Sequence, residues 1–347
     1  MAVTTKQIAE LVGVSRGTVD RALHDRGRVD PEVARRVKQV AEELGYQPNA
    51  AGRALALTRN PIKIGVVVQS LETTFMQMVL SGIRKAREEL RVFGVEILLK
   101  RLRSVGAEQV VRAMDELLEE GASGIALLSV DDDRVRQKIN AVCGGKGVPV
   151  VTFNSDIPET ARMCFVGLDN FRSGQTAAGL MEKALSGPEG CARGTVLVVT
   201  GNPLSDAHNR RVEGFCSELA QIAPEVRLLP VAPCLDDDRR ACRIVEKMLL
   251  EMPSLNGIFV AANGQNGVCR AVEASGVQRR PYIVTYDLTP QNKEHLLDGS
   301  IDFAIGQDSF TQGYEPVMIL YRYLFSGEKP KREHFFTEIL IKTKYNL

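Results

Sequence analysis

From residue 62 onward, short apolar runs alternate with amphipathic stretches, and no other feature restricts the fold as strongly. Runs at 64–68 (IGVVV), 95–99 (VEILL), 125–128 (IALL) and 148–153 (VPVVTF) are separated by helical periodicity near 75–90, 108–120 and 134–142. A second set follows, with strand-like runs at 164–166, 196–200, 226–231, 258–261 and 283–286. Helical patterns lie between them near 173–184, 206–220, 238–251 and 267–274. Uninterrupted apolar strands between helices predict parallel sheets covered on both faces, because such strands expose neither side to water. Two sets in residues 62–347 predict two doubly wound α/β lobes. Their ligand sites are then expected at the carboxyl ends of the strands, facing one another across a cleft.

The first sixty residues read differently. Residues 3–23, VTTKQIAELVGVSRGTVDRAL, form two short amphipathic helices joined by a turn. Thr4 and Gln7 have capping-box spacing, and Ile8, Leu11 and Val12 share one face. Gly13 permits the turn, and Ser15 is a good N-cap for a second helix carrying Thr18, Val19, Ala22 and Leu23. This is the helix-turn-helix pattern, whose second helix can enter a DNA major groove, although a plain helical hairpin would share it. Asp30-Pro31 starts a third helix with an apolar stripe from Val33 to Leu44, which gives an all-α head over residues 1–47.

Charge supports the head as the DNA-facing part. The net charge of the chain is only +1, but residues 1–60 hold ten Lys/Arg against seven Asp/Glu, leaving 34 against 36 for the rest. A basic head on a slightly acidic body suits contact with phosphates. Seven cysteines fall without CxxC or Cys/His ligand spacing, which predicts free thiols in a reducing cytoplasm. No apolar run approaches the ~20 residues of a membrane helix.

The residues of 3–23, the third helix and the following GYQPNAAGRALA resemble the head and hinge of the LacI/GalR family of bacterial regulators. The body, with PVVTFNSD, VGLDNFRSGQ, Arg-x-x-Gly-Phe at Arg211 to Phe215 and IVTYDLTP, is similar to that family's effector domain and to type I periplasmic sugar-binding proteins. The resemblance implies a hinge helix and linker over residues 48–61 that folds on operator DNA, with Asn49 as its cap and Leu55 as a wedge in the minor groove. Thr4, Ser15, Arg16, Gly17, Thr18, Arg21, Asn49, Arg53 and Leu55 are the DNA-binding residues it implies. Arg16 and Gly17 occupy the variable specificity positions. An arginine can pair bidentately with a guanine edge, whereas Asp20, where the family usually has serine, leaves the operator sequence open.

The resemblance also implies three crossings between the lobes, near residues 167–170, Thr289 and Phe310. The N-terminal lobe would then hold about residues 62–167 and 290–310, and the C-terminal lobe about 168–289 and 311–347. Effector-binding candidates follow the ends of strands: Ser70, Thr73, Phe75 and Met76 after the first, and Asn154, Ser155 and Asp156 after the fourth. Arg211, Asn263, Tyr286, Asp287 and Gln307 complete the set. Carboxylates accepting from vicinal hydroxyls and an arginine donating a fork of hydrogen bonds are what a polyol requires. Asn154-Ser155 replaces the Asp-Arg pair common in sugar-binding relatives, which implies a less charged contact.

Asp131–Asp133 and Asp236–Asp238 resemble metal clusters, yet each opens a helix, where acids complement the helix dipole. No cofactor or metal site is expected. His208 reads as a solvated loop residue. No GxSxG, P-loop or HExxH is present, so no catalytic residue is assigned and an enzyme is not expected. The expectation is a cytoplasmic, ligand-responsive transcriptional repressor binding a near-palindromic operator as a homodimer, or as a tetramer, with a sugar or polyol effector. A regulator co-repressed by a purine or nucleoside, and a transport solute-binding protein, are the competing readings.

Overall fold

The structure, a computed structural model, describes residues 3–23, 29–44, 61–69, 71, 73–102, 106–187 and 190–347. The chain divides into two units, Met1–Pro61 and Ile62–Leu347. Asn49, Arg53, Leu55 and Ser70 lie outside the described residues, as does the expected hinge helix.

The first unit contains α1 (Thr5–Val12), α2 (Arg16–Leu23) and α3 (Pro31–Glu43). The sequence signals for their ends act as expected. Thr4 Oγ1 accepts from the Gln7 backbone N–H, and the Thr4 N–H donates to Gln7 Oε1 at 2.8 Å, closing the capping box. Gly13 ends α1 at φ +74°, a conformation that a side chain rarely tolerates. Ser15 Oγ accepts from the Thr18 N–H at 3.1 Å, and Asp30 caps α3 ahead of Pro31. Ile8, Ala9, Val19, Ala22, Val37 and Ala41 close a small core.

The second unit carries two sheets. The N-lobe sheet has the order β12-β5-β4-β3-β1-β2 and is parallel throughout. It is built from β1 (Lys63–Val68), β2 (Glu96–Arg101), β3 (Gly124–Leu127), β4 (Val150–Phe153), β5 (Cys164–Leu168) and β12 (His334–Thr337). The C-lobe sheet has the order β13-β11-β10-β9-β6-β7, with β8 also pairing β6. Its strands are β6 (Gly194–Thr200), β7 (Val226–Leu228), β8 (Ala232–Pro233), β9 (Gly257–Val260), β10 (Tyr282–Tyr286), β11 (Phe303–Gly306) and β13 (Leu340–Lys342). Only β13 runs antiparallel. In the N-lobe β1 lies between β2 and β3, and in the C-lobe β6 lies between β7 and β9, so the order reverses beside the first strand of each sheet. Loops after the strands on either side of that reversal diverge and leave a crevice.

Helices cover both faces, as continuous apolar strands require. In the N-lobe, α5 (Ala107–Glu119) and α6 (Asp133–Lys146) bury Val110, Met114, Leu117, Val135 and Ile139 against Val67, Ile125 and Leu127. On its other face lie α4 (Thr74–Arg91) and α12 (Ser309–Ser326). In the C-lobe, Val196 and Val198 face α7 (Asn170–Leu185) and α8 (Asp206–Ile222). Leu197 and Val199 face α9 (Asp238–Glu251), α10 (Gln265–Ser275) and α11 (Pro290–Asp298). That alternation is the two-residue period of a strand buried on both sides.

The chain crosses between lobes after β5, after β11 and after β12. Two lobe boundaries therefore differ from expectation. Residues 290–306 remain in the C-lobe, since α11 packs on α10 and β11 pairs with β10. Residues 309–337 belong to the N-lobe, where α12 packs on α4 and β12 pairs with β5. Thr289 is the N-cap of α11 inside the C-lobe and not a crossing. Residues 164–166 likewise open the fifth strand of the first sheet, not the second. Pairing of a strand is a long-range choice, and local periodicity does not state it.

Each lobe has a pair of helices that touch through glycine. A Cβ on Gly82 of α4 would lie 2.1 Å from the Phe310 carbonyl oxygen, and one on Gly313 of α12 2.0 Å from that of Val79. In the C-lobe, a Cβ on Gly174 of α7 would lie 2.2 Å from the Arg211 carbonyl oxygen, and one on Gly214 of α8 2.1 Å from that of Phe171. Backbone cannot swing aside as a side chain can, so these crossings admit only glycine. Gly179, five residues along α7 from Gly174, has open space where its Cβ would be. Gly174→Ala is therefore expected to destabilise the protein by about 2–3 kcal/mol through overpacking, whereas Gly179→Ala should stabilise it by up to ~1 kcal/mol. Opposite shifts of the urea midpoint would check the crossing; equal shifts would argue against it.

Candidate functional site

The loops that follow the strands meet in a narrow cleft between the lobes, with a cavity volume of about 70 Å³. The N-lobe contributes Gln69 after β1, Thr73, Phe75 and Met76 at the start of α4, Ser129 after β3, and Asn154 and Ser155 after β4. The C-lobe contributes Asn202, Ser205, His208 and Arg211 after β6, Asp236 after β8, Asn263 after β9, Asp287 after β10 and Gln307 after β11. The lobes also touch directly, the Asp131 N–H donating to the Leu204 carbonyl at 3.2 Å.

Arg211 is the fixed point of the C-lobe wall. Its side chain is buried, its guanidinium lies 4.0 Å from the ring centroid of Tyr286, and every nitrogen has a partner. Nε donates to Asn170 Oδ1 at 2.8 Å, Nη1 to the Ala261 carbonyl at 3.1 Å, and Nη2 to Gln307 Oε1 at 2.7 Å. Gln307 Nε2 donates in turn to Asp287 Oδ1 at 2.5 Å. An amide thus mediates between the buried cation and the buried carboxylate. The chain continues into the N-lobe: Gln312 Nε2 donates to the Gln307 carbonyl at 2.6 Å, and Asn154 Nδ2 donates to Gln312 Oε1 at 3.0 Å.

Backbone conformation aims several of these groups. Asn154, Asp236 and Asp287 sit at φ +62°, +63° and +76°, in the left-handed region where only short polar side chains are common among non-glycine residues. The turn at Asp287 is held by Asn292, whose Nδ2 donates to the Tyr286 and Asp287 carbonyls at 2.9 Å each. Burial pushes the Asp287 carboxyl up to about 6, opposed by the nearby Arg211 charge and the Gln307 hydrogen bond, with Asp236 adding to the rise. Burial drives His208 down to about 4, against the pull of Asp236 and helped by Arg211, so its imidazole is neutral at pH 7.

Nine of the twelve residues proposed from sequence therefore line one cleft: Thr73, Phe75, Met76, Asn154, Ser155, Arg211, Asn263, Asp287 and Gln307. Ser70 lies outside the described residues, and two others point elsewhere. Asp156 accepts from Thr152 Oγ1 at 2.7 Å and from both ends of the Arg162 fork at 2.7 and 2.6 Å, which turns it away from the cleft. Tyr286 does not line the cleft. Strand alternation turns it into the core, where its hydroxyl meets Ser173 Oγ at 2.8 Å and its ring supports Arg211.

Sequence reasoning missed Gln69, Ser129, Asn202, Ser205, His208 and Asp236. Each follows a strand end, the rule that found the others. His208 lies in the first turn of α8 and lines the cleft rather than a solvated loop. Of the two acidic triplets, Asp132 and Asp237 cap helices as expected, while Asp236 lines the cleft. Among the described residues no group of His, Cys, Asp and Glu could hold a metal ion, and no helix is long and apolar enough to cross a membrane.

In the head, Thr4, Ser15, Arg16, Gly17 and Arg21 are exposed and Thr18 is half-buried. Arg16 is the first residue of α2, where a recognition helix presents its first base-contacting residues.

The pH behaviour of the cleft follows from Asp287. Its folded value of about 6 exceeds the ordinary 3.8, so its stabilising contribution is full below about 3.8 and is lost as pH rises through about 6. Relative to Asp287→Asn, the ligand-free wild type should lose about 2–3 kcal/mol of stability between pH 4 and 7.5. Chemical denaturation of both proteins across that range would test it, and parallel curves would contradict a carboxyl buried without full compensation.

Two sequence profiles match the chain: "Bacterial regulatory proteins, lacI family" over residues 4–49 and "Periplasmic binding protein domain" over residues 64–329. The transcriptional regulator CelR of Thermobifida fusca is 32% identical over 178 residues, covering 50% of this chain and 50% of its own. The chain thus spans about half the length of that relative. The maltose regulon regulatory protein MalI of Escherichia coli (strain K12) is 24% identical over 281 residues, 79% of this chain and 77% of its own. Among solved structures, a solute-binding protein of Burkholderia graminis C4D1M in complex with D-arabinose superposes with a TM-score of 0.75. It is 24% identical and covers 82% of this chain and 96% of its own. GanP, a glucose-galactose binding protein of Geobacillus stearothermophilus, gives 0.73 at 23% identity, covering 82% and 98%. At these identities the superpositions speak for the fold alone.

Proposed function

Because the chain belongs to the LacI family of bacterial regulatory proteins, with that family's head and a periplasmic-binding-protein body, we propose that it is a ligand-responsive transcriptional repressor working in the cytoplasm. One observation carries the reading. A helix-turn-helix with exposed Arg16 at the start of its second helix shares a chain with a cleft in which both lobes converge polar side chains. A solute-binding protein would need only the second part.

The effector we propose is a single sugar or polyol. The cleft is narrow, about 70 Å³, and polar side chains face it from both lobes, which suits a small polyhydroxy ligand held by hydrogen bonds on two sides. Asp287 can accept from hydroxyls, and the amides of Asn154, Asn263 and Gln307 can both donate and accept. Phe75 supplies an apolar face. A purine would call for stacking on two sides, and Phe75 is the one phenyl ring lining the cleft among the described residues.

On DNA the protein acts as a dimer, since a two-fold protein matches a near-palindromic operator. Arg16 and Gly17 face the specificity positions, Thr4, Ser15, Thr18 and Arg21 the backbone and neighbouring bases, and Asn49, Arg53 and Leu55 the hinge contacts. The effector shifts the equilibrium only so far as it binds the two lobe arrangements differently.

An operator selected from random DNA provides the test. Arg16→Ala should lose about 1–3 kcal/mol of discrimination at one base pair per half-site, and Leu55→Ala should weaken specific binding and reduce DNA bending. Unchanged footprints and bend angles in both variants would remove the head from DNA recognition. Asp287→Asn should lower the affinity for an effector found by thermal shift by at least tenfold, about 1.4 kcal/mol, in calorimetric titration.

A further inference from the structure

One corner of the cleft has a construction that the Arg211–Gln307–Asp287 wall does not explain. Leu235 and Asp236 sit in succession at φ +56° and +63°. Two consecutive non-glycine residues in the left-handed region are a strained turn, of the kind retained where a side chain must be aimed. The turn carries the Asp236 carboxylate to the cleft, where Oδ1 accepts from the Asn263 backbone N–H at 3.1 Å and from its Nδ2 at 3.4 Å.

Gly201, just past β6, marks where Asp236 and His208 converge. A Cβ on Gly201 would fall 2.6 Å from Asp236 Oδ1, 2.7 Å from Oδ2 and 2.6 Å from His208 Nδ1. His208 Nδ1 is out of solvent and has no hydrogen-bond partner of good geometry, although the Asn202 backbone lies close enough to the imidazole to pull its pKa upward. The N-lobe wall adds two further atoms of that kind, Ser155 Oγ and Gln69 Oε1, on residues 3% and 4% exposed. Three buried polar atoms without partners of good geometry in one cleft are an unusual concentration, because such groups are normally satisfied.

Charge then selects among ligands. Arg211 is the one cationic side chain lining the cleft among the described residues, and each of its nitrogens already donates within the protein. Asp236 and Asp287 stand against it, and His208 is neutral at pH 7. A ligand carboxylate or phosphate would meet two carboxylates against a single cation that already spends three of its five N–H groups within the protein.

We propose that His208, Asp236 and Asn263 form a specificity subsite for a hydroxyl or amino group of the effector, which admits neutral and aminated polyhydroxy compounds and rejects their carboxylated and phosphorylated counterparts. The inference rests on the reading of the cleft as an effector site for a sugar or polyol. Asp236 accepts the ligand's O–H or N–H, the neutral imidazole exchanges a second hydrogen bond, and Gly201 leaves room for both.

The test is calorimetric titration of the full chain with matched sets of aldopentoses and aldohexoses, each as the neutral sugar, the 2-amino sugar, the sugar acid and the terminal phosphate. At least one neutral or amino form should bind, with its acid and phosphate at least 100-fold weaker. Asp236→Asn, nearly isosteric and checked for an unchanged melting temperature without ligand, should weaken the neutral form at least tenfold and bring the acid within tenfold of it. Gly201→Ala should weaken the neutral form similarly. Acid and neutral forms binding the wild type alike would overturn the subsite. So would unchanged neutral-sugar affinity in Asp236→Asn when Asp287→Asn abolishes binding, and the broader reading would then survive. If no form binds, or if binding ignores Asp287, the sugar-effector reading falls and this inference falls with it.

Discussion

The buried guanidinium of Arg211 is the constraint around which the cleft is arranged. A cation removed from water is costly unless paired and hydrogen-bonded, and the sequence supplies partners from four separate places. Asn170 comes from the first crossing, the Ala261 carbonyl from the end of β9, Gln307 from the end of β11, and the Tyr286 ring from β10. Each partner depends on a different strand or crossing being in register, so the site forms only once the C-lobe sheet is complete. Gln307 then passes the constraint to Asp287 on one side and, through its carbonyl, to Gln312 on the other. Since α12 packs in the N-lobe and Gln312 also contacts Asn154, the buried network is shared by both lobes.

That sharing needs helices placed to within tenths of an ångström, and the glycine crossings provide the placement. Gly174 meets the carbonyl of Arg211 itself, so the α7–α8 crossing sets where the cation's backbone stands. Gly313 performs the matching task for α12, one residue beyond Gln312. Both lobes therefore fix their part of the network by the same device, on the same strand order.

Much of this was legible in the sequence because it is local. Continuous apolar runs announce strands buried on both faces, Thr4 and Gln7 announce a helix start, and polar residues after strand ends announce a cleft. Long-range facts are where that reading stops. Nothing in the residues around 290–337 says that α12 crosses back to the first lobe, because an amphipathic helix fits either sheet. Asp156 and Asp236 each follow a strand, and only the position of Arg162 diverts the first while Gly201 opens the space for the second. Tyr286 and Asp287 are both effector candidates by sequence, although neighbours along a strand point to opposite faces.

The division of labour between the two walls bears on how a ligand could switch the protein. The C-lobe wall is pre-organised by its own hydrogen bonds, so contacts to Arg211, Asp287 and Asp236 are offered whether or not the N-lobe is near. If an effector binds there, such contacts would set affinity and contribute nothing to a change of lobe arrangement, which responds only to differential binding. On the proposed reading the differential part would come from the N-lobe: Gln69 Oε1 and Ser155 Oγ, which have no protein partner, and the Phe75 ring. Moving a two-state equilibrium from 1:99 to 99:1 takes about 5.5 kcal/mol. Two buried polar atoms gaining partners at about 1–3 kcal/mol each supply a large share of that, and apolar contact with Phe75 adds to it. On the proposed reading affinity and switching would reside on opposite walls, so a ligand that satisfied the C-lobe alone would bind without acting.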